Sequence, residues 1–186
     1  METTSRATDV PRELPIVGGH PALDFANTVD DPEGAARYDH AGTFPELVAW
    51  STRIGILQGD EAATLLASGM DHPRARSAAI KRAHVLRSIL IETFSTAAMI
   101  NGGELTAGAG IDARWPDLRS YVTDAVAHSV LMPGDHEYQL SWPVTMRLDA
   151  MLWPIAVAAV DLLTSPQVAR VKKCAGCPWV FLDQSK

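Results

Sequence analysis

We expect this protein to be built around residues 74–101, RARSAAIKRAHVLRSILIETFSTAAMIN. Apolar residues recur in this segment every three or four positions, which is the spacing of one face of an α-helix. They are Ala79, Ala83, Leu86, Leu90, Phe94 and Ala97, and the stripe is widened by Ile80, Val85, Ile89 and Ile91. So wide a stripe is typical of a helix that is buried on more than one side. The pattern therefore predicts a central helix.

The same segment begins with a group of basic residues, namely Arg74, Arg76, Lys81, Arg82 and Arg87. Such a group can form a solvated helix face or contact DNA. Lys and Arg ordinarily occupy solvated faces, so we favour the first interpretation.

Local signals predict two helices before the central one. Thr43 and Glu46 have the spacing of a capping box, in which each side chain bonds the backbone amide of the other residue. Asp60 is a candidate cap for a shorter helix over residues 61–68, and Gly69 is a candidate terminator.

Proline positions predict the later helices. Trp115-Pro116 is interpreted as the start of one helix because proline is favoured in a first turn. Pro154 lies inside a second apolar pattern and predicts a kink or a fresh helix start near Trp153.

One β-hairpin completes the predicted fold class. Residues 138–142 alternate large apolar and polar side chains, which is the pattern of a strand, and this strand can pair with residues 129–132. We therefore predict a mainly α protein, a helical single domain with a small β-hairpin near Tyr138–Trp142.

The N-terminal region predicts a flexible arm and then a short helix. Residues 1–15 are polar and contain two prolines, which is typical of a loose arm. The following segment carries three polar groups, His20, Asp24 and Asn27, among apolar residues. They are candidate ligands or polar groups of the core, and we favour the second role because buried polar groups are normally hydrogen-bonded.

The C-terminal residues 171–186, VKKCAGCPWVFLDQSK, hold both cysteines of the chain. Cys174 and Cys177 have the C-x-x-C spacing that lets one metal ion take both thiolates. Short apolar segments flank the pair, so the pattern predicts a strand, a cysteine knuckle and a second strand. This is the form of a partial zinc ribbon, and zinc is the cofactor we expect, through a half-site only.

Composition predicts a soluble, globular and cytoplasmic protein. The chain has 186 residues with 47% hydrophobic and 20% charged residues, which is typical of a globular domain. No apolar run is long enough to span a bilayer, and the first residues lack the apolar stretch of a signal peptide. No catalytic motif is present, so we expect the protein not to be an enzyme.

Charge is unevenly distributed along the chain. The net charge is −6, which argues against a basic surface over the whole protein. The C-terminal segment is locally basic, with Arg170, Lys172 and Lys173 as candidate nucleic-acid contacts.

Two stretches together resemble one family. The first is GGHPALDFANTV, residues 18–29, which resembles the signature of the ABATE domain. The second is LWPIAVAAVDLLTSPQVARVKKCAGCPWVFLDQSK, residues 152–186, which resembles the end of that domain running into a CGNR-type zinc finger. The resemblance implies a stress-induced transcriptional regulator whose finger contacts DNA. It divides the chain into an arm (1–15), an ABATE-like helical domain (16–169) and half of the finger (170–186).

The rest of that finger carries a basic segment and a second cysteine pair in the family. This sequence ends at Lys186, so we expect a half-site for zinc and weak or absent binding of DNA by this chain.

Other functions remain open at this stage. The chain can be a stand-alone ligand-binding or dimerisation module, and two copies can pool their cysteine pairs into a four-sulfur site. A thiol-redox protein is a further alternative. It is less favoured, because redox C-x-x-C pairs normally precede a helix in a βαβ context.

Overall fold

The computed structural model describes residues 16–30, 34, 37–106, 110–134, 137–142 and 147–185. The predicted arm, residues 1–15, lies outside them. The fold is mainly helical with small antiparallel hairpins, as predicted. The described helices are α1 (Pro21–Ala26), α2 (Phe44–Arg53), α3 (Gly59–Asp71), α4 (Pro73–Asn101), α5 (Ile111–Ala127) and α6 (Leu152–Thr164), and a 3-10 turn spans Pro166–Arg170.

The predicted central helix is α4. Among the described residues, the other five helices all pack against it, and Leu86, Leu90 and Phe94 on its buried stripe are fully enclosed. Val85 was expected to widen this stripe, but it is 53% exposed. It lies on the same face as Lys81, one turn away, and that face points to solvent.

The main core lies where α1, α4, α5 and α6 meet. Phe25 from α1, Leu118 from α5, and Ile155 and Leu162 from α6 are fully buried in it. The small residues Ala156 and Ala159 are also fully buried, so α6 approaches its neighbours closely. None of the described helices is both long and apolar enough to cross a membrane.

The strands form three separate two-stranded antiparallel sheets in the described part of the chain. They are β1 (Val29–Asp30) with β2 (Tyr38–Asp39), β3 (Val130–Pro133) with β4 (Tyr138–Ser141), and β5 (Val171–Lys173) with β6 (Val180–Leu182). The β3–β4 and β5–β6 pairs confirm the two predicted hairpin regions. The β1–β2 pair was not predicted, because two residues per strand are too few to show alternation.

Helix boundaries differ from the prediction at two places. The start of α3 is capped by Gln58 with Glu61, and not by Asp60. Gly69 does not end α3, which continues to Asp71. Gly69 is instead the point at which α3 packs closely against Phe44 of α2. A Cβ atom there would lie 2.7 Å from the Phe44 ring.

The start of α5 also differs. This helix begins at Ile111, and Pro116 lies inside it. The predicted start at Trp115 is therefore wrong, because Pro116 lies in the second turn of this helix and not in its first. The fresh start near Trp153 is confirmed, since α6 begins at Leu152. The capping box of Thr43 and Glu46 at the start of α2 is also confirmed.

Candidate metal centre

The two cysteines lie in the turn between β5 and β6. The backbone amide of Cys174 donates to the carbonyl of Trp179 at 2.9 Å, which closes the turn. The amide of Gly176 donates to Cys174 Sγ at 3.4 Å. Both thiols are free and half-exposed, so a metal ion can reach them. We call residues 174–177 the knuckle.

The knuckle makes the two thiols unequal. The hydrogen bond with the Cys177 thiol, and then the amides of Gly176 and Cys177, lower the pKa of Cys174. Burial, and then the neighbouring Cys174, raise the pKa of Cys177. Cys174 is therefore the more easily ionised thiol, and the thiolate is the form that binds metals.

The donor set fits half of a zinc site. Two sulfur ligands satisfy two positions of a tetrahedral metal ion, and a closed structural site needs four ligands. No group of three or more His, Cys, Asp or Glu side chains within the described ranges could hold a metal ion. The candidate ligands in the described part of this chain are therefore Cys174 and Cys177.

His20 has another role in the structure. It caps the start of α1, where its Nδ1 accepts from the amide of Ala22 at 3.4 Å. Burial lowers the pKa of His20, and Asp161 partly opposes this effect. The neighbouring residue Gly19 lies beside Leu182 and Gln184, at the end of β6 that is far from the knuckle.

Asn27 holds β6 by both ends of its amide group. Its Nδ2 donates to the carbonyl of Val180 at 2.7 Å, and its Oδ1 accepts from the amide of Val180 at 3.0 Å. Both residues are buried. The side chain of Asn27 thus occupies the place of a neighbouring strand.

Two further hydrogen bonds join the N-terminal segment to β6. The carbonyl of Gly18 accepts from the amide of Leu182 at 2.8 Å. The carbonyl of Val29 accepts from Trp179 Nε1 at 2.9 Å. Residues 18–29 therefore form a holder along the outer edge of β6, and an exposed strand edge is avoided.

Asp24 fixes the backbone of Gly18 at the start of this holder. Its Oδ1 accepts from the amide of Gly18 at 2.8 Å, and burial raises the pKa of its carboxyl group. A Cβ atom at Gly18 would lie 2.8 Å from the amide nitrogen of Asp24, so only glycine fits this close approach. The sequence showed that these residues are polar or small. It carried no signal that they meet β6, since Asn27 and Val180 are 153 positions apart.

The three candidate nucleic-acid contacts lie on the same hairpin region. Lys172 forms an ion pair with Asp183, and this hydrogen bond is the main reason that the pKa of Asp183 is held well below its usual range. Arg170 donates to the carbonyl of Ser185 at 3.0 Å. Lys173 is exposed. Intramolecular contacts therefore already engage two of the three cations.

Arg87 was predicted to lie on a solvent-exposed face of the central helix, and this prediction is wrong. It is 7% exposed and forms two hydrogen bonds of 2.6 Å with Asp39 of β2. It also donates to Thr28 Oγ1 at 3.0 Å, beside the holder. Burial alone would raise the pKa of Asp39, but the hydrogen bonds and charge of Arg87 outweigh burial and lower it.

Arg82 was also predicted to lie on the solvated face, but it is only partly exposed and is ion-paired. Its side chain is 40% exposed, and it pairs with Asp124 and Asp149. Arg147 contacts the same two carboxylates, so the four groups form one charge-balanced cluster. The sequence did not reveal this cluster, because its members come from three distant segments.

A cavity of about 580 Å³ lies away from the knuckle, between the α2–α3 loop, β4 and the start of α6. Its lining is mixed, with the polar side chains of Gln58, Gln139 and Ser141 beside Leu65 and Met151. A volume of this size accommodates a small molecule.

Comparison with known proteins places the helical body in a family. The ABATE family model, described as "putative stress-induced transcription regulator", matches residues 19–166. This range includes most of the holder and all six of the described helices, and it stops before the cysteines. No curated protein and no solved structure gives a significant match. The match covers most of the chain, and the chain therefore belongs to the ABATE family.

Proposed function

We propose that this protein is a transcriptional regulator in which the helical body carries one half of a zinc site on the β5–β6 hairpin. The observation that carries the proposal is the knuckle itself. It presents two free thiols in a closed turn, on a hairpin that the family's helical body holds in place. The family description supports the regulatory role.

Zinc in this site would have a structural role. Cys174 and Cys177 would supply two thiolates, and the ion would tie the knuckle together. Two more ligands would come from a second copy of the chain, a histidine or a segment beyond the described residues. In this proposal the metal orders the DNA-contacting surface and takes no part in a reaction.

The metal content of the purified protein tests this proposal. We expect zinc or cobalt(II) to bind through both cysteines, and the Cys174→Ser, Cys177→Ser double variant to lose binding while it stays folded. The fold should survive because the hairpin is also held by the core residues Val171 and Val180. Metal analysis with circular dichroism measures both effects. Unchanged metal content in the double variant would contradict the proposed site.

DNA contact is assigned to Arg170, Lys172 and Lys173, and we expect it to be weak in this chain alone. Phosphate contacts by Lys and Arg supply most of the non-specific affinity for DNA. Here the net charge is −6, and contacts within the chain engage Arg170 and Lys172. Fluorescence anisotropy with duplex DNA at physiological salt should show weak or no binding, which falls further as salt rises. A salt-resistant nanomolar complex would overturn this expectation.

A second candidate function is a stand-alone ligand-binding module, and the cavity favours it. Its polar and apolar lining suits a small amphipathic molecule. A thermal-shift screen of small molecules distinguishes this function, with Ala150→Phe as a variant that fills the cavity. Ligands that stabilise the wild type but not the variant would support the module.

The thiol-redox alternative receives less support. The unequal pKa values of the two thiols suit redox chemistry, but a strand follows the knuckle where redox pairs usually have a helix. We therefore propose a non-catalytic role for the pair.

A further inference from the structure

We propose that Asn27 and Trp179 are positioning residues for the cysteine knuckle, so that metal binding at Cys174 and Cys177 is coupled to the fold of the helical body. This inference rests on the proposed zinc function and adds a means of regulating it. In an independent zinc finger, the metal affinity depends on the finger alone. In this protein, contacts between the hairpin and the helical body would also determine the metal affinity.

Trp179 joins the knuckle to the body directly. Its indole Nε1 donates to the carbonyl of Val29 at 2.9 Å, and its ring packs against the main core. Its own carbonyl accepts from the amide of Cys174 at 2.9 Å. One residue therefore contacts both the knuckle and the holder.

Asn27 fixes the next residue along the strand. Its two hydrogen bonds to Val180 hold the backbone three positions after Cys177. Val180 is fully buried, so this point of the strand cannot move without opening the core.

The strand that leads to Cys174 is anchored as well. Val171 is fully buried, and its carbonyl accepts from Asn101 Nδ2 at 2.9 Å. Asn101 is the last residue of α4. The relative position of the two thiols is therefore set by contacts that both strands make with the helical body.

Coupling follows from these contacts by linkage. A metal ion that needs both thiolates binds the seated hairpin better than a detached one, so binding stabilises the seated state. Reciprocally, a change in the body that detaches the hairpin lowers the apparent metal affinity, which equals the affinity of the seated hairpin multiplied by the fraction of molecules in which it is seated. A ligand or partner that acts on the body can thus release or retain the metal without contacting it.

Cobalt(II) titration of the full chain tests the coupling, because thiolate–cobalt absorption reports ligation directly. We compare the wild type with Trp179→Phe, which keeps an aromatic ring at this position but loses the indole N–H, and with Asn27→Asp, which cannot donate to the Val180 carbonyl. Leu118→Ala is the matched control. Leu118 is buried on α5, which packs against α4 and α6, so this variant destabilises the protein away from the knuckle.

All titrations use one protein concentration and a temperature at which circular dichroism shows each variant folded. We expect Trp179→Phe and Asn27→Asp to weaken cobalt affinity by about tenfold or more, and Leu118→Ala to leave it within about twofold. Cobalt should also raise the melting temperature of the wild type. If Asn27→Asp does not fold, Trp179→Phe and the control decide the result.

Two results would overturn the inference, and they are distinguishable. Equal cobalt affinity in the wild type and both positioning variants, with no rise in melting temperature, would leave the zinc function standing and remove the coupling. Absence of thiolate–cobalt absorption in the wild type would remove the proposed zinc function, and the coupling with it.

Discussion

Phe94→Ala is expected to lower the free energy of unfolding by about 3–5 kcal/mol. Phe94 lies on the buried stripe of α4 and is fully enclosed by the main core. The substitution removes apolar area from the core and leaves a cavity that the surrounding helices cannot close fully. Chemical denaturation monitored by circular dichroism measures the change.

Val85→Ala provides the control on the same helix. Val85 is 53% exposed, so the change should be within about 0.5 kcal/mol of the wild type. A near-neutral result for Phe94→Ala, or a large loss for Val85→Ala, would contradict the assignment of the buried face of α4.

Asp39→Asn is expected to lower the free energy of unfolding at neutral pH by about 3 kcal/mol. The substitution keeps the shape of the side chain but leaves the buried guanidinium of Arg87 without its counter-charge. An uncompensated buried charge is costly because the surrounding protein screens it poorly. The exposed pair Arg114–Asp117 is the control, and Asp117→Asn should cost less than about 1 kcal/mol.

The Asp39 effect should also depend on pH. The pKa of Asp39 is lowered in the folded protein, so its ionised form contributes stability above the ordinary pKa of 3.8. That contribution is lost as the pH falls through the folded-state pKa. The stability difference between wild type and Asp39→Asn should therefore shrink as the pH falls below about 5. A difference that grows in acid would contradict the proposed ion pair.

The parts of the fold that follow a local pattern were predictable from the sequence. The periodicity of residues 74–101 predicts α4 because a helix that buries one face has apolar residues every three or four positions. The C-x-x-C spacing with its apolar flanks similarly predicts the β5–β6 hairpin. Both signals lie within short segments and need no knowledge of distant partners.

The candidate site depended on long-range contacts that no local pattern encodes. Arginine normally lies on the protein surface. The burial of Arg87 requires its partner Asp39, which lies in a strand of two residues. Asn27 is visible in the sequence as a polar group on an apolar segment, but no local pattern indicates its partner. The zinc half-site could be proposed from sequence, whereas the residues that hold it became visible only in three dimensions.

The bonds between Asn27 and Val180 also constrain the order of folding. The two residues are 153 positions apart, so at roughly 5–20 residues per second a ribosome reaches Val180 about eight to thirty seconds after Asn27. The central helices can assemble during this interval because their contacts are closer in sequence. The N-terminal segment completes its hydrogen bonds only when residue 180 has been made. A nascent chain that stalls earlier therefore leaves the surface of α1 that β6 covers open to solvent, and transiently exposed apolar surface is what chaperones bind.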